Sequence, residues 1–345
     1  MKPNMVPRRG FLARLGTAAG VVGSAGCLSS FGNAKYTFYT FPEADSLAEL
    51  TEGFIETDPT SIGANQSIDY SAEYKRSVVE TLFEQGTAES VQWQLAYDRT
   101  FGTTSRPKPR FIERDGTYYW VTETDQTEFT ETRWVFYLDL VDETPDSGDT
   151  VVTEPPSSLS ETDQLLVRRA LEAARDTHGG YQDVDDKQLQ ARGPDFHHEM
   201  DPEASDLVPS APFDYVRQGD QYLVPRAEQG PVDLTRYTFS AEEVASSKAE
   251  LQQYVEENLV DAVFDPAELG PDALEILRTA TDLRQGRIYT EKGELSDGLR
   301  VLTERLGMAP HIPAEVSQFT ALNGTILSFE GRWYRGSLSI RSTMF

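Results

Sequence analysis

Apolar and aromatic positions recur along this chain in a fixed order, which is a strand-like run, a helical run and a hairpin. The strand-like run contains a basic residue, Tyr or Trp, any residue and then Phe. It occurs at Lys35–Phe38, Arg133–Phe136 and Arg236–Phe239. The flanking residues are β-branched and aromatic, so the pattern predicts a β-strand at each position.

Each strand-like run is followed by apolar side chains at helical spacing. The first helical run covers positions 70–83, the second has Ser160 as its predicted N-cap, and the third has Pro271 in its first turn. The second and third runs align without a gap. Their matched pairs are Leu166 with Ile276, Val167 with Leu277 and Ala170 with Ala280.

A Gly-x-x-Tyr motif closes each copy. A turn glycine with positive φ followed by a returning strand is typical of a tight hairpin. Asn323-Gly324 predicts a further hairpin turn near the end of the chain. The three motifs are Gly116 to Tyr119, Gly219 to Tyr222 and Gly331 to Tyr334.

These patterns predict an α+β protein built of three related strand–helix–hairpin units. Units of about 100 residues fit the usual size of a domain. We place them at 35–125, 126–230 and 231–345, after a signal peptide at 1–26 and a linker at 27–34. The alternative is that short apolar motifs recur by chance, as they can in any α+β chain.

The N-terminal region contains the pair Arg8-Arg9 followed by Phe11 and Leu12. A short run of small and apolar residues from Leu15 to Ala25 follows, and it is shorter than the roughly 20 residues of a membrane-spanning helix. This arrangement resembles a twin-arginine export signal. The resemblance implies the twin-arginine export machinery as a partner.

The apolar run ends at Ser24-Ala25-Gly26-Cys27, which resembles the lipobox of exported lipoproteins. The resemblance implies that Cys27 is lipidated and holds the protein on the outer face of the cytoplasmic membrane. Cys27 is also the one cysteine of the chain, so it forms no intrachain disulfide. Ser24 and Pro7 depart from the usual pattern, and an ordinary cleavable signal is the alternative.

The charge balance is strongly acidic, with 57 Asp and Glu against 31 Lys and Arg. Molar salt would screen the resulting self-repulsion. Together with the signal and lipobox, this composition resembles exported lipoproteins of halophilic archaea, while an acidic mesophilic exoprotein is the alternative. Basic clusters are small, which argues against nucleic-acid binding.

Candidate chemistry is sparse. His197 and His198 precede Glu199, but adjacent histidines diverge in direction, so we predict a solvated polar loop rather than a metal site. We predict no cofactor and assign no catalytic residue, because nucleophile-elbow and phosphate-loop motifs are missing. Asn65 and Asn323 begin possible N-glycosylation sequons.

The sequence therefore predicts a lipid-anchored, salt-adapted binding or envelope-interaction protein. A partner in the envelope or a small-molecule ligand is left open. The first alternative is a solute-binding lipoprotein of a transporter, which would have two βαβ lobes around a cleft. The second is a surface hydrolase that uses carboxylates no motif identifies.

Overall fold

The computed structural model describes residues 34–62, 70–98, 107–175, 180–184, 187–282, 288–316 and 319–342. These residues form an α+β fold with two mixed β-sheets and helices packed on them. We call the five-stranded sheet the terminal sheet and the seven-stranded sheet the central sheet.

Twelve strands and seven α-helices are described, and three short 3₁₀ turns supplement them. The strands are β1 Ala34–Ala44, β2 Ile55–Glu56, β3 Thr87–Val91, β4 Phe111–Arg114, β5 Thr117–Val141, β6 Val151–Val152, β7 Tyr215–Gln218, β8 Gln221–Ala245, β9 Ala262–Phe264, β10 Ile288–Lys292, β11 Thr320–Phe329 and β12 Arg332–Ser342. The α-helices are α1 Leu47–Glu52, α2 Ala72–Gln85, α3 Glu161–Ala173, α4 Leu189–Arg192, α5 Lys248–Asn258, α6 Pro271–Thr281 and α7 Asp297–Arg305.

The terminal sheet joins the two ends of the described chain. Its strand order is β10-β1-β12-β11-β9, and β1 pairs antiparallel with β12. Alternate residues of β1, among them Tyr36 and Phe38, are buried. They share one apolar core with helices α6 and α7, in agreement with the period of two expected for a strand with one buried face.

The central sheet is built around β5 and β8, which are 25 residues long each. They pair antiparallel from Tyr118 opposite Ala245 to Val141 opposite Tyr222. Helix α3 packs on the second half of β5, and helix α2 packs on β3 and on the second half of β8. Each half of the long antiparallel β5–β8 pair therefore has its own helix.

The order of strands is the same around all three hairpins. Each returning hairpin strand pairs antiparallel with a strand that carries a basic-aromatic-x-Phe motif, and each first hairpin strand pairs parallel with a short strand. The antiparallel pairs are β12 with β1, the first half of β5 with β8, and the first half of β8 with β5. The parallel pairs are β11 with β9, β4 with β2, and β7 with β6.

Two kinds of turn close these hairpins. Asp115 and Gly116 both have positive φ, as do Glu330 and Gly331, so these are type I′ turns. In the β7–β8 hairpin only Gly219 has positive φ, and it stands at the first turn position, which is the type II′ pattern.

The difference in turn type shifts the tyrosines of the Gly-x-x-Tyr motif. Tyr119 and Tyr334 are the third residues of their strands, whereas Tyr222 is the second. Leu223 is the third residue of β8 and is fully buried. Because successive strand residues point to opposite faces, Tyr222 is not equivalent to the other two tyrosines.

The structure differs from the predicted contiguous units, and three repeated units of that kind are not confirmed. The boundaries at 125/126 and 230/231 lie inside β5 and β8. Strand β1, assigned by sequence to the first unit, pairs with β12 at the other end of the chain. Long-range pairing decides these boundaries, and short-range patterns carry no information about it.

The predicted hairpin turn at Asn323-Gly324 is wrong. Strand β11 continues through these residues, and its register with β12 shifts between Asn323 and Thr325. Gly324 has φ +90° and therefore occupies a β-bulge. An Asn-Gly pair suits both a turn and a bulge, because each needs a residue in the left-handed region.

Candidate functional site

The N-terminal residues singled out by sequence lie outside the described part of the chain. They are Arg8, Arg9, Phe11, Leu12 and Cys27. Asn65 also lies outside it, whereas Asn323 is in strand β11. The Thr325 hydroxyl of the second sequon is buried and donates to the Gly336 carbonyl at 3.1 Å, so the sequon is held within the sheet.

The prediction of a solvated loop is wrong for the first half of the segment that contains the two histidines. Residues 194–196 lie antiparallel to β5, with Phe196 N donating to the Trp134 carbonyl at 2.8 Å. Phe196 and His197 are each only 5% exposed. The backbone pairing fixes this segment and places both histidine rings beside helix α2.

Glu199 caps helix α2 from a distant part of the chain. Its carboxylate accepts a hydrogen bond from the Ser71 backbone N–H at 2.9 Å and another from the Ser71 hydroxyl. Ser71 is the N-cap of the helix, and its Oγ accepts from Tyr74 N at 3.0 Å. A carboxylate at a helix N-terminus is stabilised by the helix dipole. The contact therefore fastens the loop to the helix.

Two tyrosines complete an aromatic cluster with the histidines. The Tyr70 ring centroid lies 4.8 Å from that of His197 and 5.3 Å from that of His198. Tyr74 lies 4.5 Å from His198, and its hydroxyl accepts from Val91 N at 3.0 Å. The Tyr70 hydroxyl is buried, and no described residue forms a hydrogen bond with it. Such a group costs free energy unless something pairs with it.

Arg133 lies at the edge of the same cluster. Its guanidinium is 2.7 Å from an Asp195 carboxylate oxygen and 2.9 Å from one of Glu131. Burial disfavours the guanidinium charge, but the hydrogen bonds to both carboxylates outweigh burial and raise the pKa of Arg133. Arg133 is the basic residue of a basic-aromatic-x-Phe motif, so a residue that helps to predict the strand also forms these ion pairs.

The pKa values of the cluster shift mainly because of burial. Burial lowers the pKa of His197 and of His198, and the Glu199 carboxylate opposes the shift in both. Burial raises the pKa of the Tyr70 phenol, with smaller contributions from Tyr74 and Asp195 in the same direction. Near neutral pH the cluster therefore contains two uncharged imidazoles and a neutral phenol.

We call this group of side chains the polar junction and define it as Tyr70, Ser71, Tyr74, Arg133, Asp195, His197, His198 and Glu199. It connects helix α2 to the loop that follows α4. Within the described residues, no group of three or more His, Cys, Asp or Glu side chains could hold a metal ion. The arrangement can accept a proton on either imidazole, and its chemistry favours pH-dependent docking of the two segments.

A second feature is a small cleft that is partly open to solvent. Tyr97, Lys108, Arg110 and Trp120 contribute to its walls. Burial lowers the pKa of Arg110, which donates a hydrogen bond to the Leu95 carbonyl. Residues 99–106 connect two of its walls and lie outside the described part of the chain.

Sequence reasoning identified His197, His198 and Glu199 but did not connect them with Tyr70 or Ser71. We interpreted Tyr70 and Tyr74 as one face of a helix, and that helix does begin at Ala72. The contact between Ser71 and Glu199 joins residues 128 positions apart. No local pattern signals such a pair.

No protein-family model, curated protein or solved structure matches the chain. Among the described helices, none has the length and apolar character needed to cross a membrane. Function is therefore inferred from this chain's own residues.

Proposed function

We propose that this protein is a lipid-anchored, salt-adapted interaction protein on the outer face of the cytoplasmic membrane. The observation that carries the proposal is that a lipoprotein-like signal at the start of the sequence is followed within a few residues by the first strand. The sequence from Arg8 to Cys27 has the features of an exported lipoprotein, and strand β1 begins at Ala34, seven residues after the cysteine. The folded body would therefore follow the anchor directly.

We further propose that the body consists of three copies of one α+β unit that exchange strands. The shared order of strands around the three hairpins supports this proposal. Strand β1 joins the helix and hairpin of the third copy, and the second half of β8 joins those of the first. The second copy keeps its own strand, which is the second half of β5.

An interaction role agrees with this architecture better than transport of a solute does. A solute-binding protein of the predicted kind would have two βαβ lobes, and their sheets would be largely parallel. Parallel pairing in the described residues is confined to the short strands β2, β6 and β9. A repeated unit on a short tether instead presents similar surfaces close to the membrane.

The anchor is tested by replacing Cys27 with alanine and following the protein in cell fractions. We expect the variant to leave the membrane fraction and to enter the medium. Mass spectrometry of the N-terminal peptide of the parent protein should show a lipid on Cys27. A variant that stays in the membrane fraction would contradict the proposal.

The export route is tested separately by replacing Arg8 and Arg9 with lysine, which keeps both charges. We expect export to stop, because the twin-arginine machinery distinguishes the guanidinium groups from ammonium groups. Normal export of this variant would point to the general secretory route.

A further inference from the structure

Within the residues that the structure describes, the face of the terminal sheet turned away from helices α6 and α7 is covered only near one end. Near the β11–β12 hairpin, Ile326 and Trp333 are buried in a core shared with the central sheet. Near Ala34, the first described residue, no described residue covers the face. Phe319, just before β11, is 59% exposed there, and Ile288, which stands opposite Tyr39 further along the same face, is 52% exposed.

A row of three basic residues crosses the open end. Lys35 on β1 stands directly opposite Lys292 on β10 and opposite Arg341 on β12. Like charges in directly opposed positions destabilise a sheet. Within the described residues none of the three forms an ion pair, and Arg341 instead lies over Phe319, 4.9 Å from the ring centroid.

This row is unusual for the composition of the chain. Acidic residues number 57 and basic residues 31, and only seven of the basic residues are lysine. Two of those seven lysines are neighbours in one row, although lysine–carboxylate pairs would be easy to form in such a chain. We call the face formed by Lys35, Ile288, Lys292, Phe319 and Arg341 the basic aromatic face.

We infer that the basic aromatic face lies on the headgroups of anionic phospholipids. Cations beside exposed aromatic and apolar side chains suit a membrane–water interface. The inference rests on the proposed lipid anchor, because Cys27 precedes Ala34 by seven residues. A chain of that length reaches at most about 25 Å, so the sheet end with the basic row is held beside the membrane.

The position of the row favours a lipid surface over an acidic protein. Lys35 is the second residue of β1, and its two neighbours lie at the same end of the sheet. The charges are therefore clustered where the tether enters. An acidic protein partner would not require this location, and it is one outcome of the test.

The test measures binding of the full chain, carrying Cys27→Ala, to vesicles of equal parts phosphatidylglycerol and phosphatidylcholine and to vesicles of phosphatidylcholine alone. The variant Lys35→Gln/Lys292→Gln/Arg341→Gln is compared with a control, Arg76→Gln/Arg168→Gln/Arg217→Gln. The control removes three exposed charges elsewhere. All proteins share the same first 33 residues, so the contribution of those residues cancels between variants.

We expect the first variant to lose on the order of 100-fold in affinity for phosphatidylglycerol vesicles near 0.1 M KCl, which is about fivefold per charge. The loss should shrink toward about tenfold at 1 M KCl, where charges are screened within a few ångströms. The control should bind as the parent does. Circular dichroism at each salt concentration establishes that the proteins are folded.

Equal binding by the parent and both triple variants would overturn the inference, and so would an equal loss on both kinds of vesicle. Retained vesicle binding combined with lost binding to an acidic protein would assign the face to a protein partner and would also overturn it. The lipid on Cys27 is measured separately by mass. An unmodified Cys27 would remove the anchor proposal, whereas a lipidated Cys27 with unchanged vesicle binding would remove only this inference.

Discussion

Two junctions connect the parts of this molecule, and they use opposite chemistry. The polar junction connects helix α2 to the loop after α4 through histidine, tyrosine and charged side chains. The apolar junction connects the terminal sheet to the central sheet through helices α1 and α5. Its principal members are Leu50, Phe54, Phe111, Leu251, Val255 and Trp333.

The difference matters because the two kinds of contact respond to different variables. Burial of apolar area is non-directional and independent of pH. The polar junction includes the buried Tyr70 hydroxyl, which has no hydrogen-bond partner in the described part of the chain, and two imidazoles with lowered pKa values. We therefore expect the apolar junction to supply most of the stability and the polar junction to supply the response to protons.

The largest expected effect comes from the apolar junction. Leu251→Ala should lower the free energy of unfolding by about 2–5 kcal/mol, because Leu251 is fully buried. Leu251 lies in the core shared by both sheets, so hydrogen exchange should become faster in both. Urea unfolding and exchange measured by mass spectrometry check the two expectations.

Leu166→Ala is the matched control for this change. Leu166 is equally apolar and is 1% exposed, but it belongs to the core beneath helix α3. Loss of the Leu166 side chain should accelerate hydrogen exchange mainly in β6, in β7, in the second half of β5 and in the first half of β8. Identical exchange patterns in both variants would mean that the molecule unfolds as one unit and that the junctions are not separable.

A smaller change in the free energy of unfolding is expected from the Tyr70 hydroxyl, which has no hydrogen-bond partner among the described residues. Tyr70→Phe should raise the free energy of unfolding by about 1–2 kcal/mol, because the variant no longer buries an unsatisfied polar group. Tyr74→Phe should lower it by about 1 kcal/mol, since the Tyr74 hydroxyl accepts a hydrogen bond from Val91 N. Loss of stability in the Tyr70 variant would show that its hydroxyl is paired in solution.

The smallest effect is the dependence of the polar junction on pH. The folded protein holds His197 and His198 at lowered pKa values, so the unfolded chain binds protons more readily. Stability should be complete above about pH 6.5, the ordinary histidine value, and should fall as the pH drops toward the lowered values. Urea unfolding between about pH 7.5 and 5.5 measures this slope.

The double variant His197→Gln/His198→Gln should flatten the slope in that range. A slope that is unchanged in the double variant would assign the pH dependence to other groups. The apolar variant Leu251→Ala should keep the slope of the parent protein, because it lies in the other junction.

Local sequence predicted much of the secondary structure. Phe38, Phe136 and Phe239 were predicted in strands and are all fully buried there. Ser160 caps helix α3 as predicted, and Gly116 and Gly331 occupy hairpin turns with positive φ. These features depend on neighbours within a few residues, where side-chain spacing and glycine content are informative.

The same patterns did not predict which distant segments meet. Tyr36 stands opposite Ile340, and its motif alone would suit any of the three hairpins. Glu199 caps a helix whose N-cap residue lies 128 residues earlier in the chain, whereas its sequence neighbourhood with His197 and His198 predicts only a solvated polar loop. Contacts of this kind depend on complementary surfaces that form after the elements do.

The sequence by itself determined the acidic balance, the pattern from Arg8 to Cys27 that resembles an exported lipoprotein, and the local preference for strands, helices and hairpins. The tertiary structure alone decided that β1 pairs within the terminal sheet and that Tyr70 and His197 meet in the polar junction. It also decided that Lys35, Lys292 and Arg341 align across three strands. The reason is physical. Propensity acts over a few residues, whereas strand register brings together side chains hundreds of positions apart.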